Sequence, residues 1–196
     1  MNTIHRLVGG PAVYDWVQRI AGSDVVRRRL QRHLLEAEGA TVLDVGAGTG
    51  LYAASVPERA RYVAMDNDWR KLAGLSRRGR AIRHVVLGDA VKLAFIDRSV
   101  DYALCVHVAH HLDDAALAQC FSELARVVRR KLLVQEPLWT SRVAGRCLWR
   151  MDRGSYPRTP EALMAALERQ FRIEHVERYS ILHDYALIVA RPRAIS

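Results

Sequence analysis

The sequence predicts an α/β fold: a single doubly wound sheet of seven strands, mostly parallel, with an antiparallel strand in its C-terminal part. Three observations carry this. Short apolar runs alternate with helical patterns between residues 41 and 135, the order that gives a parallel sheet with helices on both faces. The first run, 41–45, ends directly in glycines at 46, 48 and 50, as a buried strand does when it feeds a tight turn. Two extended patterns, 172–179 and 184–190, follow one another across a short loop and so pair antiparallel.

The elements follow in order. Residues 11–36 read as a helix in two pieces, broken near Gly22 and Ser23. Asp24 is placed to cap the second piece, whose Val25, Val26, Leu30, Leu34 and Leu35 fall roughly on one face. After the strand at 41–45 comes a short helix over 51–56, stopped before Pro57. A strand at 61–65, a helix at 69–77 and strands at 82–87 and 100–106 succeed it. Asp113 caps a helix that carries Leu117, Cys120, Phe121, Leu124 and Val128 at helical spacing. A fifth strand occupies 132–135, and residues 137–157 are irregular and rich in Trp and Arg. Thr159-Pro160-Glu161 then opens a helix that runs to about Gln170, with a capping hydroxyl, a proline in the first turn and an acid at the positive helix end. This divides one domain, 1–196, into a helical cap (1–38), a core (40–136), an irregular lid (137–158) and a C-terminal helix and hairpin (159–191).

Composition narrows the class. The chain has 196 residues, half of them apolar and a quarter charged, which suits one domain with a full core. Its apolar runs fall far short of the roughly 20 residues that cross a bilayer. Gly9, Gly10 and Pro11 interrupt the N-terminal region where a signal peptide would need an apolar stretch. The three cysteines, Cys105, Cys120 and Cys147, are far apart and match no zinc spacing. A reducing, cytoplasmic setting is expected. The net charge is +9 and 27 of the 30 basic residues are arginine. That balance would attract nucleic acid or an anionic membrane surface. The arginines are scattered, however, so solvated surface side chains account for them better.

Gly46, Gly48 and Gly50 sit where a strand ends and a helix is expected to begin. Such a loop turns its backbone amides towards a ligand. Two ligands suit it, a dinucleotide and S-adenosylmethionine. Asp44 stands two residues before the first glycine and would repel a pyrophosphate. It would favour the ammonium and sulfonium groups of the methyl donor. The run Gly46-Ala47-Gly48-Thr49-Gly50 also departs from G-x-G-x-x-G, with Leu at position 51.

The segment Val42-Leu43-Asp44-Val45-Gly46-Ala47-Gly48-Thr49-Gly50 resembles the first motif of class I S-adenosylmethionine-dependent methyltransferases, Rossmann-like enzymes, especially the group related to ubiquinone and menaquinone methyltransferases. The resemblance continues in Asp66, 20 residues after Gly46, in Gly88-Asp89-Ala90, in residues 95–101 and in residues 107–112, and spans roughly residues 40 to 136. It implies S-adenosylmethionine as cofactor. It also implies that Asp44, Gly46, Ala47, Gly48 and Gly50 approach the amino-acid end, that Asp66 takes the ribose hydroxyls beside Asn67, and that Asp89 and Ala90 meet the adenine. Met65 would pack against the adenine.

Methyl transfer needs alignment and exclusion of water more than proton transfer, so catalytic candidates are few. His107, His110 and Glu136 lie just beyond the fourth and fifth strands, at the carboxyl ends where such sheets bind ligands. His107 is also a cofactor neighbour in this reading, and His111 is structural. No metal is expected among these histidines. Tyr14 and Trp16 anchor the N-terminal helix. Trp139, Trp149, Met151 and Tyr156, interspersed with Arg142, Arg146, Arg150 and Arg153, suit a flat apolar or anionic acceptor, or a lid touching a membrane surface. A small-molecule or lipid-like acceptor follows. The alternatives are a nucleic-acid methyltransferase and a cofactor-binding partner subunit without catalysis. No Asn-Pro-Pro-Tyr, Asp-Pro-Pro-Tyr or Pro-Cys motif supports the first, and the class has no universal catalytic residue with which to dismiss the second.

Overall fold

A computed structural model describes residues 22–75, 82, 84–139, 156–181 and 184–193. The first helical piece with Tyr14 and Trp16, and the lid residues 140–155, lie outside the described residues.

Helix α1 (Ser23–His33) buries Val26 and Leu30 and is followed by the buried Leu34. Its N-cap is Gly22, at φ 92°, rather than Asp24. Asp24 instead occupies the first turn, where its charge favours the helix and where it pairs with Arg27 at 3.2 Å. Leu35 leaves the apolar face because a 3₁₀ turn (Leu35–Ala37) follows, and it is exposed.

Seven strands form one sheet: β1 (Thr41–Val45), β2 (Arg61–Asp66), β3 (His84–Leu87), β4 (Val100–Val106), β5 (Val128–Pro137), β6 (Phe171–Ser180) and β7 (Asp184–Pro192). Their order is β3-β2-β1-β4-β5-β7-β6. β1 through β5 pair parallel, and β7 pairs antiparallel with both β5 and β6. The predicted class is therefore the observed one, with β7 the antiparallel strand.

Alternate residues of each strand feed two cores. Leu43, Val45, Ala103, Cys105 and Val134 pack with Phe121 and Leu124 of helix α3 (Asp114–Val127) and with Leu163 and Leu167 of helix α4 (Pro160–Glu168). Val42, Ala64, Tyr102 and Leu104 pack with Leu30 and Leu34 on the other face. Burying one such Leu or Phe contributes about 1.5–3 kcal/mol. Asp113 caps α3 by accepting from the Ala116 N–H at 2.8 Å, and Thr159 caps α4 by accepting from that of Ala162 at 3.2 Å.

Four boundaries differ from expectation. The helix expected over 51–56 is only a 3₁₀ turn at Ala53–Ser55, since Pro57 leaves no room to extend it. Helix α2 spans Trp69–Leu72, and β3 begins at His84 rather than 82. β5 starts at Val128, directly from the C-cap of α3. Its first four residues are Val-Arg-Arg-Lys, whose charges hide a strand that is solvated at that end.

Candidate functional site

The sheet order reverses between β1 and β4, which opens a crevice at their carboxyl ends. The loop leaving β1 lines it. Gly46, Gly48 and Gly50 have φ of 72°, 56° and 74°, left-handed values that side chains resist. A β-carbon on Gly46 would lie 2.4 Å from Cγ2 of Val108, the residue two past β4. One on Gly48 would meet nothing within 4 Å, so the backbone there is open to a ligand. The Ala47 N–H donates to the Met65 carbonyl at 2.9 Å, which ties the loop to the end of β2.

Asp66 ends β2 and is buried, at 4% exposure. Its Oδ2 accepts from the Gly48 N–H at 2.9 Å and its Oδ1 from that of Asp68 at 2.9 Å, with Lys71 Nζ 3.6 Å away. Asp66 thus braces the glycine loop, and each oxygen keeps a lone pair for a hydroxyl. Asn67 beside it is exposed. The Gly88 N–H donates to the Asp66 carbonyl at 3.1 Å, bringing the turn after β3 alongside. Asp89 is exposed there and accepts from the Val91 N–H at 3.1 Å, while Ala90 packs on the core. Met65 lies beneath this turn, its Sδ 3.1 Å from where a Gly88 β-carbon would stand.

Asp44 is different. It is buried under the loop at 1% exposure and accepts from the Tyr62 hydroxyl at 2.5 Å. Burial pushes its pKa up to about 7; Tyr62 opposes the shift and Asp66 adds to it. A carboxyl so placed accepts charge when a cation comes near.

The other wall follows β4. His107 has φ 59°, and its N–H donates to the Gln135 carbonyl at 2.8 Å. Its ring stacks on Tyr185 and meets Tyr52 edge-on, both at 5.9 Å between centroids. Glu136 is buried. One of its oxygens accepts from the Val108 and Ala109 N–H groups, both at 2.7 Å, and the other lies 2.7 Å from Nδ1 of His110. Burial would raise its pKa, but the His110 hydrogen bond and charge, His107 and the Ala109 N–H hold it below the ordinary carboxylate value. Glu136 and His110 are thereby committed to fixing the turn at Ala109–His111. His111 is exposed, its ring 4.1 Å from that of His110.

Arg158, not singled out in the sequence, anchors the end of the lid on this turn. Its guanidinium donates to the Ala109 and Leu112 carbonyls at 2.7 and 2.8 Å and reaches Asp114 at 2.7 Å. The Tyr156 N–H donates to the His110 carbonyl at 3.0 Å. A small indentation lies here among His110, Glu136, Leu138, Tyr156, Arg158 and Leu163. Trp139 is exposed beside it. Arg158 meets its partners across more than 40 residues, and Tyr52 and Tyr185 reach His107 from two other elements, so no local spacing marks any of them. Trp149, Met151, Arg142, Arg146, Arg150 and Arg153 lie outside the described residues.

A seven-stranded sheet of this order, with acids at the ends of β1 and β2 and a glycine loop between, has the fold of the Rossmann-like class I methyltransferases. The sequence profile of the methyltransferase domain matches residues 43–132. An uncharacterized methyltransferase from Mycobacterium sp. (strain JLS) is 38% identical over 95 residues, 46% of this chain. The chain spans 35% of the length of that relative. Among solved structures, a Pyrococcus horikoshii protein superposes with a TM-score of 0.72 at 17% identity over 98% of this chain and 100% of its own. An S-adenosylmethionine-dependent methyltransferase from Aquifex aeolicus gives 0.66 at 20% identity, over 84% and 88%. The geranyl diphosphate C-methyltransferase of Streptomyces coelicolor gives 0.73 at 13% identity, over 95% and 88%. No helix among the described residues is long and apolar enough to cross a membrane.

Proposed function

We propose that the chain is an S-adenosylmethionine-dependent methyltransferase of the cytoplasm that acts on a small-molecule or lipid-like acceptor. The observation that carries this reading is the buried Asp44 beneath a glycine loop that leads only into a 3₁₀ turn. A pyrophosphate wants a helix N-terminus and no acid. Here the helix is missing and the acid is present, which suits a cationic ligand.

The residues fit such a ligand. The open backbone at Gly48 and Asp44 below it would receive the amino-acid end, Asp66 the ribose hydroxyls, and Asp89 with Ala90 the adenine. When bound, S-adenosylmethionine supplies a methyl group already activated on a sulfonium. The chain's own task is then to align the acceptor and exclude water. His107, held by Tyr185, Tyr52 and its own backbone bond, stands at the end of β4 facing this task. It is the residue best placed to take a proton from an acceptor that must lose one. Glu136 and His110 fix the turn that follows it and are positioning residues.

Calorimetric titration tests this directly. The wild type should bind S-adenosylmethionine and S-adenosylhomocysteine but not NAD, and Asp66→Ala should lose both ligands. Binding of NAD instead, or of neither class, would overturn the reading.

A further inference from the structure

A different constellation lies outside the crevice, where α1 crosses the edge strand β6. β6 carries a bulge: Ile173 pairs with Ala190 and His175 with the very next residue, Val189, so Glu174 is the extra residue. A bulge of this kind switches the face on which the following side chains stand. Ile173 packs on the α3 and α4 core, and Arg178 reaches Glu161 of α4 at 3.1 Å. After the switch, His175, Glu177 and Tyr179 all stand on the α1 face. Arg29 and His33, four residues apart on α1, meet them. Arg29 Nε donates to a Glu177 oxygen at 2.9 Å and its guanidinium lies 3.9 Å over the Tyr179 ring. The rings of His33 and His175 are 4.9 Å apart. One ligand atom from each of His33, His175 and Glu177 lies within 4.8 Å of the other two.

We propose that His33, His175 and Glu177 bind one divalent transition-metal ion of the zinc class and so clasp α1 to β6. Two imidazoles and one carboxylate form a ligand set that zinc accepts, with its remaining position open to water. Ligand atoms of a tetrahedral ion are about 3.3–3.6 Å apart, given bonds of roughly 2.0–2.2 Å, so modest side-chain rotation closes the set. The carboxylate is already oriented: Arg29 holds one oxygen, as an outer partner orients a metal ligand, and leaves the other for the ion. Arg29, Arg32 and Lys131 are close and repel all divalent ions alike, so selection rests on the ligand atoms. Ions that prize imidazole nitrogen over carboxylate, such as zinc, nickel and copper, are favoured over magnesium and calcium. The site is independent of the methyl-donor reading.

The full chain, freed of metal by chelation, should take up one zinc or cobalt ion on titration, with heat and, for cobalt, visible absorption. Magnesium at the same concentration should give neither. His175→Ala and His33→Gln should each weaken binding by about tenfold or more, while His111→Ala leaves it unchanged. Absence of a saturable one-to-one event, or equal binding by the wild type and both site variants, would refute the proposal. His175 is exposed, so its variant folds and decides the matter even if His33→Gln does not. Titration of S-adenosylmethionine into the His175→Ala variant separates this proposal from the catalytic one, because donor binding should be retained.

Discussion

Gly46 tolerates no side chain for two separate reasons, its φ of 72° and the 2.4 Å approach of Val108 to its missing β-carbon. Gly46→Ala should cost roughly 1–3 kcal/mol in urea unfolding and remove donor binding, because the loop must move off β4. Glu136→Ala strands two N–H groups and a buried histidine. Losing one member of such a buried set costs about 3–5 kcal/mol, which thermal melts would register. A catalytic role would instead lower turnover while sparing the fold. The pH dependence separates the two buried carboxylates. Glu136 has a depressed folded pKa, so its stabilisation is present above the unfolded value, near 4.5, and fades as the pH falls through the lower folded value. Asp44 has a raised one. Relative to acid conditions, its ionisation weakens the fold as the pH rises from 3.8 towards 7. A bound cation relieves that cost, so the dissociation constant for S-adenosylmethionine should fall between pH 6 and 7.5, by at most about tenfold per unit. In Asp44→Asn that slope should flatten. The positions of Asp44, Asp66 and Asp89 were readable because strand ends converge in this topology. That Asp44 faces Tyr62 under the loop was not, since burial depends on the neighbouring strand.

Among the elements, α3 was the most legible, with its capping acid and apolar residues at helical spacing on a single buried face. Asp113→Ala should cost about 1 kcal/mol, readable as a shift in the urea midpoint. β5 was harder, because Arg129, Arg130 and Lys131 disguise its first residues, whereas β6, expected over 172–179, differs by one residue at each end despite its bulge. The turn at Ala109–His111 depends on two distant side chains, Glu136 from β5 and Arg158 from before α4. Sequence spacing carries no record of such partners, so nothing in it marks Arg158, and Glu136 reads there as a catalytic candidate.

On the proposed function, the whole molecule should respond to S-adenosylmethionine as a unit. Ligand at a hundred times its dissociation constant adds about 2.7 kcal/mol, and in a domain of this size each kcal/mol raises the melting point by about 2–4 °C. Scanning fluorimetry should therefore show a rise of several degrees with S-adenosylmethionine and none with NAD. The net charge of +9 has partners of its own: many arginines are spent on acids and carbonyls, as Arg126 is on Glu123, Asp97 and the Leu93 and Phe95 carbonyls. The alternating order of strands and helices made the class plain from sequence. The two-sided core followed from it, because a sheet wound on both faces must be covered on both.

The place of β7 also has a consequence in time. The ribosome makes it after every other strand of the sheet, yet it sits between β5 and β6. Until it emerges, β5 is a bare edge with unpaired backbone groups, and β6 has no partner in the sheet. The nascent chain is therefore most prone to sticking to its neighbours just before β7 emerges, when the rest of the sheet can already form. A stop codon that removes residues 184 onward should yield insoluble protein, even though such a chain keeps the glycine loop and every acid around it.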